Sequence, residues 1–179
     1  MTFRFANVAG RSALVDSDDH WFDACTVSRG TISADPMEAW LQAGGLTVGQ
    51  DISDRALQFA AEPAHFDLGK SRDTYGPIGP VVVSTDSFAE PDDLLITCAI
   101  NGEARQEDRT SNLIFDIPAL ISYLSHILTL TPGDLIFTGT PEGVGAASLK
   151  FLCDGDVITT TIEGIGTMTN PCQVPESAP

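Results

Sequence analysis

Residues 94–110, LLITCAINGEARQEDRT, restrict most strongly what this chain can become. Two strand-like runs meet at Asn101-Gly102, and that dipeptide supplies the positive-φ positions a two-residue hairpin turn requires. An antiparallel pair is therefore expected here instead of a parallel crossover unit. The rest of the chain agrees with this start. FRFANV and SALVDS around Gly10-Arg11 predict a first hairpin, Trp21-Phe22-Asp23 a third short strand, and GLTVGQ, PVVVST and LIFTGT three more. GDVITTTIEGIGTMTN predicts two closing strands around Gly164. DIPALISYLSHILTL reads as the one long helix, with Asp116 as cap, Pro118 in its first turn, and Leu120, Ile121, Leu124, Ile127 and Leu128 on a core-facing stripe. Two shorter helical pieces are expected. PMEAWLQAG follows Asp35-Pro36 and closes at Gly44, while SDRALQFA takes Ser53 as its cap and brings Arg55 and Gln58 to nearly one face. Many strands without βα alternation indicate a mainly β, α+β architecture and disfavour a doubly wound parallel sheet.

The stretch from Gly45 to Pro80 has the composition of a site. It sets a carboxylate (Asp51), a carboxamide (Gln58), an ammonium (Lys70) and a hydroxyl (Thr74) among glycines and prolines that fix the local path and let backbone approach a ligand. Ordinary surface ion pairs among Asp51, Asp54, Arg55 and Asp73 would account for the same charges, and this stretch alone leaves the two readings about even.

Charge excludes several partners. Nine basic against 25 acidic residues give a formal charge of -16, which repels nucleic acid and anionic membrane surfaces. An anionic substrate would need local positive charge from Lys70, Arg55, Arg72 or a bound cation. No apolar run is long enough to cross a bilayer, and the first residues lack the apolar region of a secretory signal, so a cytoplasmic location is expected. Cys25, Cys98, Cys153 and Cys172 are scattered without C-x-x-C spacing, and read as reduced, mostly buried thiols. The glycine-rich PEGVG segment lacks the G-K-[ST] ending of a phosphate loop. His126 reads as solvated or hydrogen-bonded.

In order along the chain, GQDISDRALQ (49–58), GKSRDTYGPIGP (69–80), NGEARQ (101–106), LTPGDLIFTGTPEGV (130–144) and GIGTMTN (164–170) resemble the motifs of the fumarylacetoacetate hydrolase family. The resemblance implies a mixed β-roll, incomplete here, with a small N-terminal β unit over residues 1–43 and the hydrolase-like part over 44–179. It further implies a homodimer, a short 2-oxo or 1,3-dicarbonyl acid as substrate, and Mg2+, Mn2+ or Ca2+ as electrophile. By the same resemblance Asp51 corresponds to a metal-binding aspartate, Thr74 to a metal-proximal hydroxyl, Lys70 to the active-site lysine, and Gln58 and Thr140 to substrate-binding residues.

One departure bears on mechanism. Members of that family carry a central stretch with an H-x-x-E pair, which activates water, and an E-x-E pair, which supplies two metal carboxylates. Here Ala43 leads almost directly to Gly45, and the 179 residues contain neither motif. The resemblance thus implies metal-dependent hydrolysis of a carbon-carbon bond, as in an acylpyruvase. The shared motifs do not separate hydrolysis from two alternatives, an isomerase or an oxaloacetate decarboxylase, and the departure implies weak metal binding and opens a third, a non-catalytic remnant that binds a paralogue.

Overall fold

Two antiparallel sheets carry the chain. The computed structural model describes residues 4–8, 11–15, 21–23 and 45–174. The first sheet contains β1 (Arg4–Val8), β2 (Arg11–Val15), β3 (Trp21–Asp23), β4 (Leu46–Gly49) and β5 (Ile78–Val83) in the order β3-β2-β1-β5-β4. The second contains β6 (Leu95–Ile100), β7 (Glu103–Arg109), β8 (Val157–Ile162) and β9 (Gly166–Pro171) in the order β7-β6-β8-β9. Both expected hairpins form, β1 with β2 and β6 with β7, and β8 turns back onto β9. The N-terminal strands join the strands after Gly45 through β1, where Arg4 pairs with Val83 and Phe5 with Val82.

The sheets meet where β5 lies against β9 and β4 against β8 and β9. Alternation along β8 explains the seam: Ile158, Thr160 and Ile162 are buried, while the residues between them are not. Val48, Val81, Val83, Leu94, Ile162, Ile165 and Met168 form the core cluster, with Leu46, Phe88 and Ile96 packed against it. Among the described residues no helix is long and apolar enough to cross a membrane.

Four expectations need correction. The short helix α1 (Arg55–Gln58) is capped by Asp54, not Ser53, because the Asp54 carboxylate accepts the Leu57 amide at 2.9 Å. LIFTGT is not a strand: residues 135–140 have no ladder partner, and Gly139 at φ +123 breaks the extended path. The helix α2 (Ile117–Ser125) forms with Asp116 as cap, its carboxylate 2.7 Å from the Ala119 amide, but its stripe does not face a core. Ile121, Ile127 and Leu128 stay exposed because none of the described strands packs over them. Of the cysteines, Cys98 is buried, Cys153 is exposed and Cys172 lies between, all three free. A four-residue helix, α3 (Gly145–Ser148), follows the PEGVG loop. The helix expected over PMEAWLQAG falls outside the described residues. His126 is exposed, with Nδ1 2.6 Å from the Ser122 carbonyl.

Candidate active site

An open cleft of about 1480 Å³ runs along the second sheet and under the loops that leave the first. Asp51, Lys70, Thr74 and Thr140 all line it. β4 ends at Gly49 and hands the chain to a segment stitched against the 69–77 loop: the Gln50 amide donates to the Pro77 carbonyl at 3.0 Å, and the Asp54 amide to the Gly69 carbonyl at 2.7 Å. This double attachment brings Asp51 to Lys70, whose ammonium donates to Asp51 Oδ2 in an ion pair with both side chains partly open to the cleft. Just behind it, Arg72 binds the Asp54 carboxylate at 2.8 Å. The Leu57 amide first, and then Arg72, hold the Asp54 carboxyl below its ordinary value.

Gln58 sits differently. It is wholly buried beneath the turn at Leu68–Lys70 and does not line the cleft. A Cβ at Gly69 would come within 2.5 Å of the Gln58 side chain, so the glycine is what permits this seat. The Gln58 side-chain oxygen Oε1 accepts from Arg55 Nη1 at 2.7 Å, and it is Arg55 that lines the cleft. Thr74 adopts φ +69, a strained conformation for a β-branched residue, and this turn sets its hydroxyl at the cleft wall.

The loop over 139–145 also lines the cleft and is fastened to β7. Gln106 Nε2 donates to Thr140 Oγ1 at 2.9 Å and to the Pro141 carbonyl at 2.8 Å. Because Thr140 Oγ1 accepts that bond, its own hydrogen is left for an anionic oxygen in the cleft. Gly143, at φ +100, packs onto the Arg105 carbonyl so closely that any side chain there would collide with it. Gln106 and Arg105 are the members that residue-by-residue reading of the sequence missed. The NGEARQ run held the only signal, and it does not say which way each side chain points.

The donor set does not fit a resident divalent ion. Mg2+ asks for near-octahedral oxygen coordination, commonly with carboxylates. Asp51 is engaged by Lys70, and among the described residues no three His, Cys, Asp or Glu side chains converge to hold a metal. The carboxylate and the ammonium form an acid-base pair in the same cleft that Thr140 and Gln106 line.

Residues 24–173 match the family model for the fumarylacetoacetate (FAA) hydrolase C-terminal domain. The oxaloacetate tautomerase YisK of Bacillus subtilis is 45% identical over 135 residues, which cover 74% of this chain and 44% of that protein. The chain spans about half the length of the curated relatives it matches. A crystal structure from Mycobacterium smegmatis, provisionally designated HpcE, superposes with TM-score 0.86 at 27% identity, covering 96% of this chain and 100% of that one. Maleylpyruvate hydrolase from Sphingobium, solved with manganese(II) and pyruvate, is 38% identical with TM-score 0.54, over 58% of this chain and 38% of that one.

Proposed function

From the premise that this chain belongs to the fumarylacetoacetate hydrolase family, we propose that its cleft binds a short 2-oxo acid and interconverts the keto and enol forms without hydrolysing a carbon-carbon bond. The observation that carries this reading is the Asp51–Lys70 ion pair lining the same cleft as Thr140. Enolisation needs a base at C3 and an acid at the 2-oxo oxygen, and no activated water. Asp51 takes the C3 proton, and the electron pair moves into the C2–C3 bond. Lys70 then delivers a proton to the carbonyl oxygen, where its charge also steadies the developing enolate. Their direct contact returns the proton from Asp51 to Lys70 and resets the pair. Thr140, held by Gln106, donates to the substrate carboxylate, and Gln58 acts through Arg55. No step passes through a metal, and Mg2+ or Mn2+ is expected to bind weakly. The relative named a tautomerase supports this branch, and the one named a hydrolase supports the other. The sequence sides with the first, since no H-x-x-E pair is present to activate water.

The test compares deuterium uptake at C3 of 2-oxoglutarate with cleavage of an acylpyruvate, in wild type and Asp51→Asn. Uptake that is lost in the variant supports the reading. Uptake equal in both proteins contradicts it.

A second copy of the chain is the partner we propose, since Ile121 on α2 and Ile127 and Leu128 just after it are exposed, as are Ile114, 92% exposed, and Phe115 just before the helix. Light scattering is expected to give a dimer or larger species at high micromolar concentration, and a monomer there would contradict that assembly.

A further inference from the structure

We infer that Arg105 is a specificity-determining residue that takes a second carboxylate, so that the cleft prefers dicarboxylic over monocarboxylic 2-oxo acids; this rests on the 2-oxo acid reading above. The inference starts from a register shift. Cys98 pairs with Gln106 and Ala99 with Ala104, so Arg105 is an extra residue in β7 with no partner on β6. Consecutive strand residues normally point to opposite faces, and a bulge is the device that re-aims one of them. Here the effect is visible, because Arg105 and Gln106 are neighbours in sequence and both line the cleft. Gln106 fastens Thr140, the donor assigned to the first carboxylate. The guanidinium is therefore delivered to the same cleft as that carboxylate site.

Arg105 Nε is buried and has no hydrogen-bond partner, while the side chain is 23% exposed. Guanidinium is suited to a carboxylate, which it grips through two parallel N–H bonds, and the exposed part of this side chain is what a cleft ligand would meet. The acidic groups near Arg105 do not fill that role. Glu103 reaches Nη2 at 3.4 Å but is 63% exposed and shared with Lys150 at 3.3 Å. Asp156 feels the charge of Arg105, yet its carboxylate is taken by the Cys153 amide at 2.7 Å and by Asn101 at 2.7 Å.

The experiment is calorimetric titration of the full chain with 2-oxoglutarate and with 2-oxopentanoate, which share a chain length and differ in the terminal carboxylate. Wild type is expected to bind 2-oxoglutarate roughly ten- to a hundredfold more tightly, the range of a hydrogen-bonded charge. Arg105→Gln is expected to bring that ratio close to one with 2-oxopentanoate affinity unchanged, and Arg105→Lys, which keeps the charge without the fork, to fall between. An equal ratio in wild type and Arg105→Gln, or a wild type without preference, overturns the inference. Failure of the enolisation reading is separable, because it appears as absent C3 exchange with the binding preference intact.

Discussion

Lys70→Ala is expected to slow C3 proton exchange of a 2-oxo acid by about 10²–10⁴-fold, the usual contribution of a positioned acid or base. Binding of the acid should weaken far less, because the bond that holds Thr140 to Gln106 is untouched. Folding should hardly change. Lys70 and Asp51 are 35% and 44% exposed, and ion pairs this open contribute under about 1 kcal/mol. Lys70→Arg separates the two duties of the residue, charge and proton delivery. Guanidinium keeps the positive charge but does not release a proton in this range, so the variant should bind the acid and still fail to exchange it. Loss of exchange in Lys70→Ala with full rescue in Lys70→Arg would assign the residue to charge alone and remove the proton-delivery step. Unchanged exchange in Lys70→Ala would remove the residue from the chemistry.

Gly143→Ala carries the largest expected effect on stability. Its φ of +100 disfavours any L side chain, and the added methyl is aimed at the Arg105 carbonyl. Backbone strain and overpacking together are expected to destabilise by roughly 2–4 kcal/mol, a large share of a domain's total. The effect should also reach the cleft, because the loop over 139–145 can relieve the collision only by lifting off β7. Lifting breaks the Gln106 bonds to Thr140 and Pro141, so the carboxylate site should loosen even where the protein still folds. A thermal melt with a binding titration on the same variant reads both. A melting temperature within a degree of wild type, with affinity unchanged, would show that the loop is not seated as described.

What the sequence made legible was local. Asn101-Gly102 specifies its hairpin through two consecutive residues, and the turn around Gly164 likewise joins β8 to β9. Asp116 could be read as a cap for the same reason, since the amide it accepts lies three residues away. The misreadings involved partners distant in the chain. LIFTGT has the composition of a strand, but a strand exists only beside another, and Phe137 turns instead toward Gly49, where a Cβ would come within 2.8 Å of its ring. The α2 stripe has helical spacing without a described surface to bury it. Asp51, Lys70 and Thr74 stand out by their place among glycines and prolines, Thr140 only by motif resemblance, and the four share one cleft. Gln58, found the same way, is buried behind Arg55. The bulge at Arg105 was out of reach, because register between β6 and β7 is a property of two strands and is written in neither alone.

Hydrolysis needs an activated water and enolisation does not, so a paired assay on one preparation tests the proposed function most directly. The full chain, stripped of metal by chelation, receives 2-oxoglutarate in D2O and, in parallel, an acylpyruvate, each with and without added Mn2+. Deuterium is expected at C3 in wild type and lost in Asp51→Asn and Lys70→Ala, with acylpyruvate cleavage no faster than in Asp51→Asn at any Mn2+ concentration. Mn2+-dependent acylpyruvate cleavage well above that variant would contradict the proposed function, because it would require both a metal shell and a water-activating base that these residues do not supply.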